Sequence, residues 1–179
     1  VEVCADAAGA GQPWTWRLSI ADVPEAGPFS RFEGVDRWIA RVAGAGMRIR
    51  LHATWFDVPA HGAALAFRGE EECLGEPEGA GVRDFNLMVV RAAWRAHLEI
   101  AWTGDHLGCR IEGEPAARIL VHALEEPARV AVGSERVEIG PGETVVLEPE
   151  RVFAERLGVE AGGRVAVALL APQRAHKGP

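Results

Sequence analysis

Hydrophobic and polar positions alternate along most of this chain with a period of two, the signature of half-buried strands. In WTWRLSIADV (14–23), Trp14, Trp16, Leu18 and Ile20 fall on one face, and Thr15, Arg17, Ser19 and Ala21 on the other. GMRIRLHATW (46–55) sets Met47, Ile49, Leu51 and Ala53 against Arg48, Arg50, His52 and Thr54, and HLEIAW (97–102) alternates as well. The 21 glycines and 11 prolines punctuate these segments. RVAVGSERVEIGPG (129–142) reads as a hairpin with Gly133-Ser134 at its tip. Helical periodicity is scarce, and RVFAERLG (151–158) is the best short candidate. Many short strands between regular turns predict an all-β sandwich or barrel.

One strand breaks the pattern. VRDFNLMVV (82–90) is apolar except for Asp84 and Asn86. Alternation puts Asp84, Asn86 and Met88 on one face and Phe85, Leu87 and Val89 on the other. A buried carboxylate and a buried amide need partners, because leaving them unpaired costs several kcal/mol.

The chain also repeats itself. RWIARVAGAG begins at Arg37 and RILVHALEEP at Arg118, 81 residues later. Pro59 of VPAHGAALAF and Pro141 of GPGETVVLEP lie 82 apart, and DFNLMVV at Asp84 precedes VAVALLA at Val165 by 81. Three anchors in one order at nearly one offset point to two copies of a β unit. The stretch IGPGETVVLEP resembles the mid-barrel turn of cupins. That resemblance implies a double-stranded β-helix jelly roll, here a bicupin. The expected units are residues 1–95 and 96–179, packed as one compact body.

Composition narrows the function. A net charge of −7 gives a nucleic-acid role no electrostatic support. The longest apolar run, Val165 to Ala171, is too short to cross a bilayer, and no signal-peptide pattern opens the chain. Positive charge is almost all arginine, since Lys177 is the only lysine. A carboxylate would therefore be held by the bidentate fork of Arg or by neutral donors. Three widely spaced cysteines, Cys4, Cys73 and Cys109, argue against a disulfide framework or structural zinc and for a reducing cytoplasm. The chain begins inside what reads as a strand (VEVCADA), so residues before it are expected to be missing.

Familiar catalytic patterns do not occur. There is no His-x-His of the kind that aims two imidazoles into a metal-binding cupin barrel, and the six histidines are scattered. His52, His61 and a carboxylate are the remaining metal set, and no metal or other cofactor is expected. No G-x-S-x-G, P-loop or dinucleotide fingerprint is present. What remains is polar residues beside aromatics: Phe29, Ser30, Arg31 and Phe32 after the Gly27-Pro28 turn, then Asp36-Arg37, and the Asp84-Phe85-Asn86 triplet. Each has an ordinary structural reading. Asp36 and Arg37 would pair at a strand end, Asp84 and Asn86 would satisfy loop backbone, and the phenylalanines would staple a loop. As a set they supply what a small polar ligand needs.

Those same stretches carry a family resemblance. W-R-L-S-I-A from Trp16, G-P-F-S-R-F-x-G-x-D-R from Gly27, F-R-G-E from Phe67, Cys73-Leu74, and R-D-F-N-L-M-V-x-R ending at Arg91 together resemble the HutD/Ves family. The match covers about half the chain. A Trp-Asn-Gly-rich segment typical of the family is absent. The resemblance implies a bacterial cytoplasmic bicupin without the usual metal ligands, linked to histidine utilisation. The implied role is sensing or limiting flux by binding an acidic intermediate such as N-formylglutamate. On that reading Arg37 binds a carboxylate, with Ser19 and Ser30 as neutral partners. Asn86 bonds a formyl or amide group, and Trp16, Phe29 and Phe85 form walls or support. Asp84 orients Arg37 or a nearby donor, since a bare carboxylate would repel an anion. Two rival readings stand beside it. One is a metal-independent isomerase or hydrolase using His52 and Asp84. The other is an interaction module acting through a protein partner or as a homodimer.

Overall fold

The computed structural model describes residues 1–6, 13–102, 110–111, 114–132, 135–148 and 157–174. Alternation becomes strands throughout, and no helix occurs among the described residues. The first half holds β1 (Glu2–Ala5), β2 (Trp16–Asp22), β3 (Gly27–Pro28), β4 (Val35–Ala43), β5 (Gly46–Leu51), β6 (Thr54–Asp57), β7 (Gly62–Ala63), β8 (Leu65–Arg68), β9 (Cys73–Glu78) and β10 (Arg83–Val90). The second holds β11 (Trp94–Ala101), β12 (Arg110–Ile111), β13 (Glu114–Pro115), β14 (Arg118–Ala123), β15 (Ala128–Val132), β16 (Glu135–Ile139), β17 (Thr144–Leu147), β18 (Leu157–Ala161) and β19 (Val165–Pro172).

Two five-stranded sheets run in the orders β1-β2-β10-β4-β8 and β17-β14-β19-β11-β7. Two smaller sheets run β3-β9-β5-β6 and β16-β15-β18. Three apolar clusters show how they stack. Trp16, Leu18, Phe85, Leu87 and Val89 pack with Leu98, Ile100, Leu120, Ala166 and Leu170, so the two large sheets lie face to face. Ile39 and Phe67 pack with Met47, Ile49 and Cys73, between the first large sheet and its small partner. Val121, Val165, Val167 and Leu169 pack with Val130, Ile139 and Val159, doing the same in the second half. The run VAVALLA is apolar on both faces because β19 has a core on each side.

The repeat reappears as matched pairings. In each half a central strand pairs with two neighbours, β10 with β2 and β4, and β19 with β11 and β14. The β5–β6 and β5–β9 pairings match β15–β16 and β15–β18, and β4–β8 matches β14–β17. The shared register fixes counterparts residue by residue. Arg37 faces Met88 as Ile119 faces Leu169, and Ile39 faces Asn86 as Val121 faces Val167. The counterpart of Arg37 is thus Ile119 and not Arg118, so the first sequence anchor shifts by one residue. The halves are also laced together, since β7 pairs with β11.

Two local expectations change. The alternation over 46–55 conceals a hairpin, because Leu51 pairs with Thr54 and His52 turns the chain at φ 54°. Most of the helical candidate at 151–158 lies outside the described residues, and its last two, Leu157 and Gly158, open β18. The 129–142 hairpin forms as β15 and β16, with Gly133-Ser134 outside the described residues. No helix among the described residues is long and apolar enough to cross a membrane, which says nothing of a β-barrel.

Candidate functional site

A cleft of about 400 Å³ opens at the first large sheet. Three strands build its floor. β2 presents Arg17, Ser19 and Ala21, β10 presents Asp84, Asn86 and Met88, and β4 presents Arg37. Register puts them side by side, with Ser19 opposite Asn86, Ala21 opposite Asp84, and Met88 between Arg17 and Arg37. The segment from Val23 to Gly34 folds over this floor. Backbone bonds hold it down: Val23 N–H to Val82 O (2.9 Å), Phe29 N–H to Cys73 O (2.9 Å) and Phe32 N–H to Gly69 O (2.9 Å). Two glycines permit the close approach. A Cβ on Gly75 would sit 2.8 Å from the Phe29 ring, and one on Gly69 would sit 2.6 Å from Phe32 O.

A polar relay lies in the floor. Asn86 Nδ2 donates to Asp84 Oδ1 at 2.6 Å, and Arg37 Nη2 donates to Asn86 Oδ1 at 2.8 Å. Arg37 Nη1 donates to Ser30 O at 3.1 Å. Asp84, Asn86 and Arg37 are 1%, 4% and 6% exposed. The Arg37 guanidinium carbon sits 5.3, 5.7 and 5.1 Å from the ring centroids of Phe29, Phe32 and Phe67, within cation–π range. Burial lowers the pKa of Arg37 and pushes the Asp84 carboxyl up to about 6, although Asn86 and Arg37 favour its charge. Arg37 Nε–H has no hydrogen-bond partner among the described residues. The guanidinium carries five N–H donors, and two of them make the bonds to Asn86 and Ser30. Arg17 adds a second cation; its Nε lies 3.1 Å from Glu2 Oε2 without hydrogen-bond alignment.

Six of the eight residues singled out in the sequence line this cleft: Ser19, Phe29, Ser30, Arg37, Asp84 and Asn86. Trp16 and Phe85 do not. Strand alternation turns both into the core between the large sheets, where they support the floor from behind. Ser30 meets Arg37 through its carbonyl and not its hydroxyl. Asp84 reaches Arg37 through Asn86, so it orients the amide that orients the cation. Phe32 and Met88, noted in the sequence beside these residues, line the cleft too, whereas Arg17 and Phe67 were given no place in the site. Arg17 shares a strand face with Ser19 and was legible, whereas Phe67, quoted only as part of a motif, comes from a distant strand and nothing in the spacing aimed it at Arg37.

Asp36 pairs with Arg91 and not with its neighbour Arg37, because adjacent strand residues face opposite ways. Arg91 Nε donates to Asp36 Oδ1 at 2.7 Å, and its two Nη atoms reach Glu70 Oε1 and Oε2 at 2.9 Å each. This fork holds the Glu70 carboxyl well below the usual range, at about 2. Arg31 Nε donates to Glu70 O at 2.9 Å, which ties the covering segment to the same clasp. The histidine considered for catalysis, His52, is exposed on the β5–β6 turn with Nε2 3.6 Å from Glu71. It does not line the cleft. Among the described residues no group of three or more His, Cys, Asp or Glu could hold a metal ion.

The second half supplies an internal comparison. Counterparts of Arg37, Asp84 and Asn86 in the shared register are Ile119, Val165 and Val167. All three are buried in the second apolar core.

Comparison with known proteins places these features in context. The HutD family model matches residues 1–167. An uncharacterised 21.2 kDa protein in the hutC 3′ region of Pseudomonas putida is 31% identical over 164 residues, covering 91% of this chain and 82% of that one. The structure of HutD from Pseudomonas fluorescens SBW25 (formate condition) superposes with a TM-score of 0.76 at 25% identity, covering 97% of this chain and 88% of that one. A cupin 2 conserved barrel domain protein from Leptotrichia buccalis matches in fold, with a TM-score of 0.52 at 13% identity over 90% of this chain and 86% of that one.

Proposed function

The chain belongs to the HutD family and has the cupin fold, and from that premise we propose that its first barrel binds a small acidic metabolite without transforming it. One observation carries the reading. The relay of Asp84, Asn86 and Arg37 occupies positions that the second copy of the unit fills with Val165, Val167 and Ile119. The fold therefore does not require polar groups there. Burying them costs free energy that an apolar set avoids. A ligand accounts for that cost, because Arg37 lines an open cleft and spends two of its five N–H donors on Ser30 and Asn86. Phe29, Phe32 and Phe67 exclude water from the cation and strengthen its hold on an anion. Ser19 adds a hydroxyl.

The gene neighbourhood named for the P. putida relative supports a role in histidine utilisation. N-formylglutamate fits the cleft chemistry, with carboxylates for the arginines and a formamide for the amide and hydroxyl groups. Binding such an intermediate would sense or limit flux. We place this role in the cytoplasm, where Cys4 and Cys73 would remain the free thiols they are here.

A second reading rests on Asp84. A carboxyl held near 6 inside a cleft is suited to proton transfer, so an isomerase or hydrolase is the rival.

The test is a thermal-shift panel of histidine, urocanate, N-formylglutamate and glutamate. A ligand at 100 times its Kd adds roughly 2.7 kcal/mol. The expected result is a shift with one acidic intermediate, and a smaller shift for Asn86→Ala at the same ligand concentration. No shift with any compound would contradict binding. Product formed from any of them by purified protein would favour the enzyme.

A further inference from the structure

The deep floor of the cleft is electrically closed. Arg37 carries one positive charge and Asp84 one negative charge, and Asn86 bridges them with bonds of 2.8 and 2.6 Å. All three side chains are more than nine-tenths buried. Resting on the binding reading above, we propose that the site takes up an anionic ligand together with one proton, and that the proton resides on Asp84.

Charge balance demands the proton. A carboxylate that accepts from the free donors of Arg37 becomes a second anion sharing one buried cation. Two anions beside one cation in a low-dielectric pocket cannot both stay ionised at neutral pH, and the less solvated one takes a proton. Asp84 is that group, since it is 1% exposed. Burial already lifts its carboxyl to about 6 with the cleft empty, so little further push is needed. A neutral Asp84 keeps a carbonyl oxygen for Asn86 Nδ2, so the relay survives protonation and Arg37 stays aimed.

Charged groups on each neighbouring element bear on this balance. On β2, Arg17 is engaged with Glu2, and Asp22 at the rim lies 3.3 Å from Arg83 Nε. On β4, Arg41 is opposite Asp84 in register, and its Nη1 donates to Gly44 O. From β9 comes the Cys73 thiol, which burial pushes up to about 11 and so keeps protonated. Glu25 lines the covering segment. No histidine lines the cleft.

The measurement is calorimetric titration of the full chain with N-formylglutamate as probe, whose own carboxyls do not titrate above pH 6. It is run at pH 7 and 8 in phosphate and in Tris, and at pH 5 in acetate and in piperazine, each pair differing in ionisation enthalpy so that the heats report the protons exchanged. About one proton is taken up per ligand at pH 7 and 8, and close to none at pH 5. The Kd rises up to tenfold per pH unit above 6. In Asp84→Asn the uptake disappears and the affinity loses its pH dependence; should that variant fail to fold, the wild-type proton count decides. Binding without proton uptake would overturn this inference and leave the binding reading standing. Uptake that persists in folded Asp84→Asn would assign the proton elsewhere and overturn it too. No binding at any of the three pH values would remove the binding reading and this inference together.

Discussion

Asp84 is the residue on which the chemistry turns. Its carboxyl sits at about 6 in the folded protein against an ordinary 3.8, and burial is the main cause. Below pH 3.8 both folded and unfolded chains hold the proton. Between 3.8 and 6 only the folded chain does, so this group makes stability fall as pH rises, and its full cost is present above 6. Two pKa units correspond to about 3 kcal/mol. Asp84→Asn has no such term. Its unfolding free energy relative to wild type should therefore move by about 2 kcal/mol in the variant's favour between pH 4 and pH 7. Denaturant titrations at the two pH values check this, and a constant difference would show that Asp84 is not strained. The peculiarity of Asp84 and Asn86 was legible, because period two isolates two polar residues on one face of an apolar strand. Which way that face points was not. Sequence gives relative faces only, so Trp16 and Phe85 could be grouped with the ligand although they lie behind the sheet. The Asp36–Arg91–Glu70 clasp was illegible for another reason: its members come from three separate segments and meet only after folding.

Elements position these residues by register. A slip of one residue in β10 would carry Asp84 and Asn86 into the core between the sheets and bring Phe85 to the cleft. The apolar set behind β10 opposes that slip. Phe85 is fully buried and its ring centroid lies 5.3 Å from that of His122 on β14. Phe85→Ala should cost about 3–5 kcal/mol in unfolding free energy, the usual range for a phenylalanine removed from a core. The surviving folded fraction should bind ligand as before, because the side chain does not reach the cleft. A large loss of affinity with little loss of stability would mean that Phe85 lines the site after all. At this scale the sequence was read well where side chains alternate over long strands, as in β2, β10 and β11. It was read poorly at the His52–Ala53 turn, where neither residue is a usual turn former and alternation ran on through the hairpin.

The whole molecule is two copies of one unit, stacked through their larger sheets, with β7 of the first half paired into the large sheet of the second. Near-constant offsets of 81 and 82 residues made the duplication visible in the sequence. The divergence between the copies is the more informative part. One copy fills the inner face of its central strand with valine and leucine, and the other places a carboxylate and an amide there beside an arginine. Duplication of this kind lets one copy carry an all-apolar core while the other gives up packing for a polar relay that lines a cleft. Arg164 helps join them, since it pairs with Glu125 and also donates to Ala60 O at 3.2 Å and to Val42 O at 2.7 Å in the first half.

If the relay serves a ligand and not the fold, the second copy shows how to test it. Arg37→Ile, Asp84→Val and Asn86→Val, made together, convert the floor of the first barrel to the residues of the second. The measurement is the unfolding free energy of this triple variant beside wild type, without ligand. Replacing buried charged groups by apolar residues ranges from neutral to about 4 kcal/mol stabilising when the space is filled. The expected result is a folded variant no less stable than wild type that gives no thermal shift with the acidic intermediate. A variant that loses several kcal/mol or does not fold would show that these residues hold the barrel together and would overturn the ligand reading.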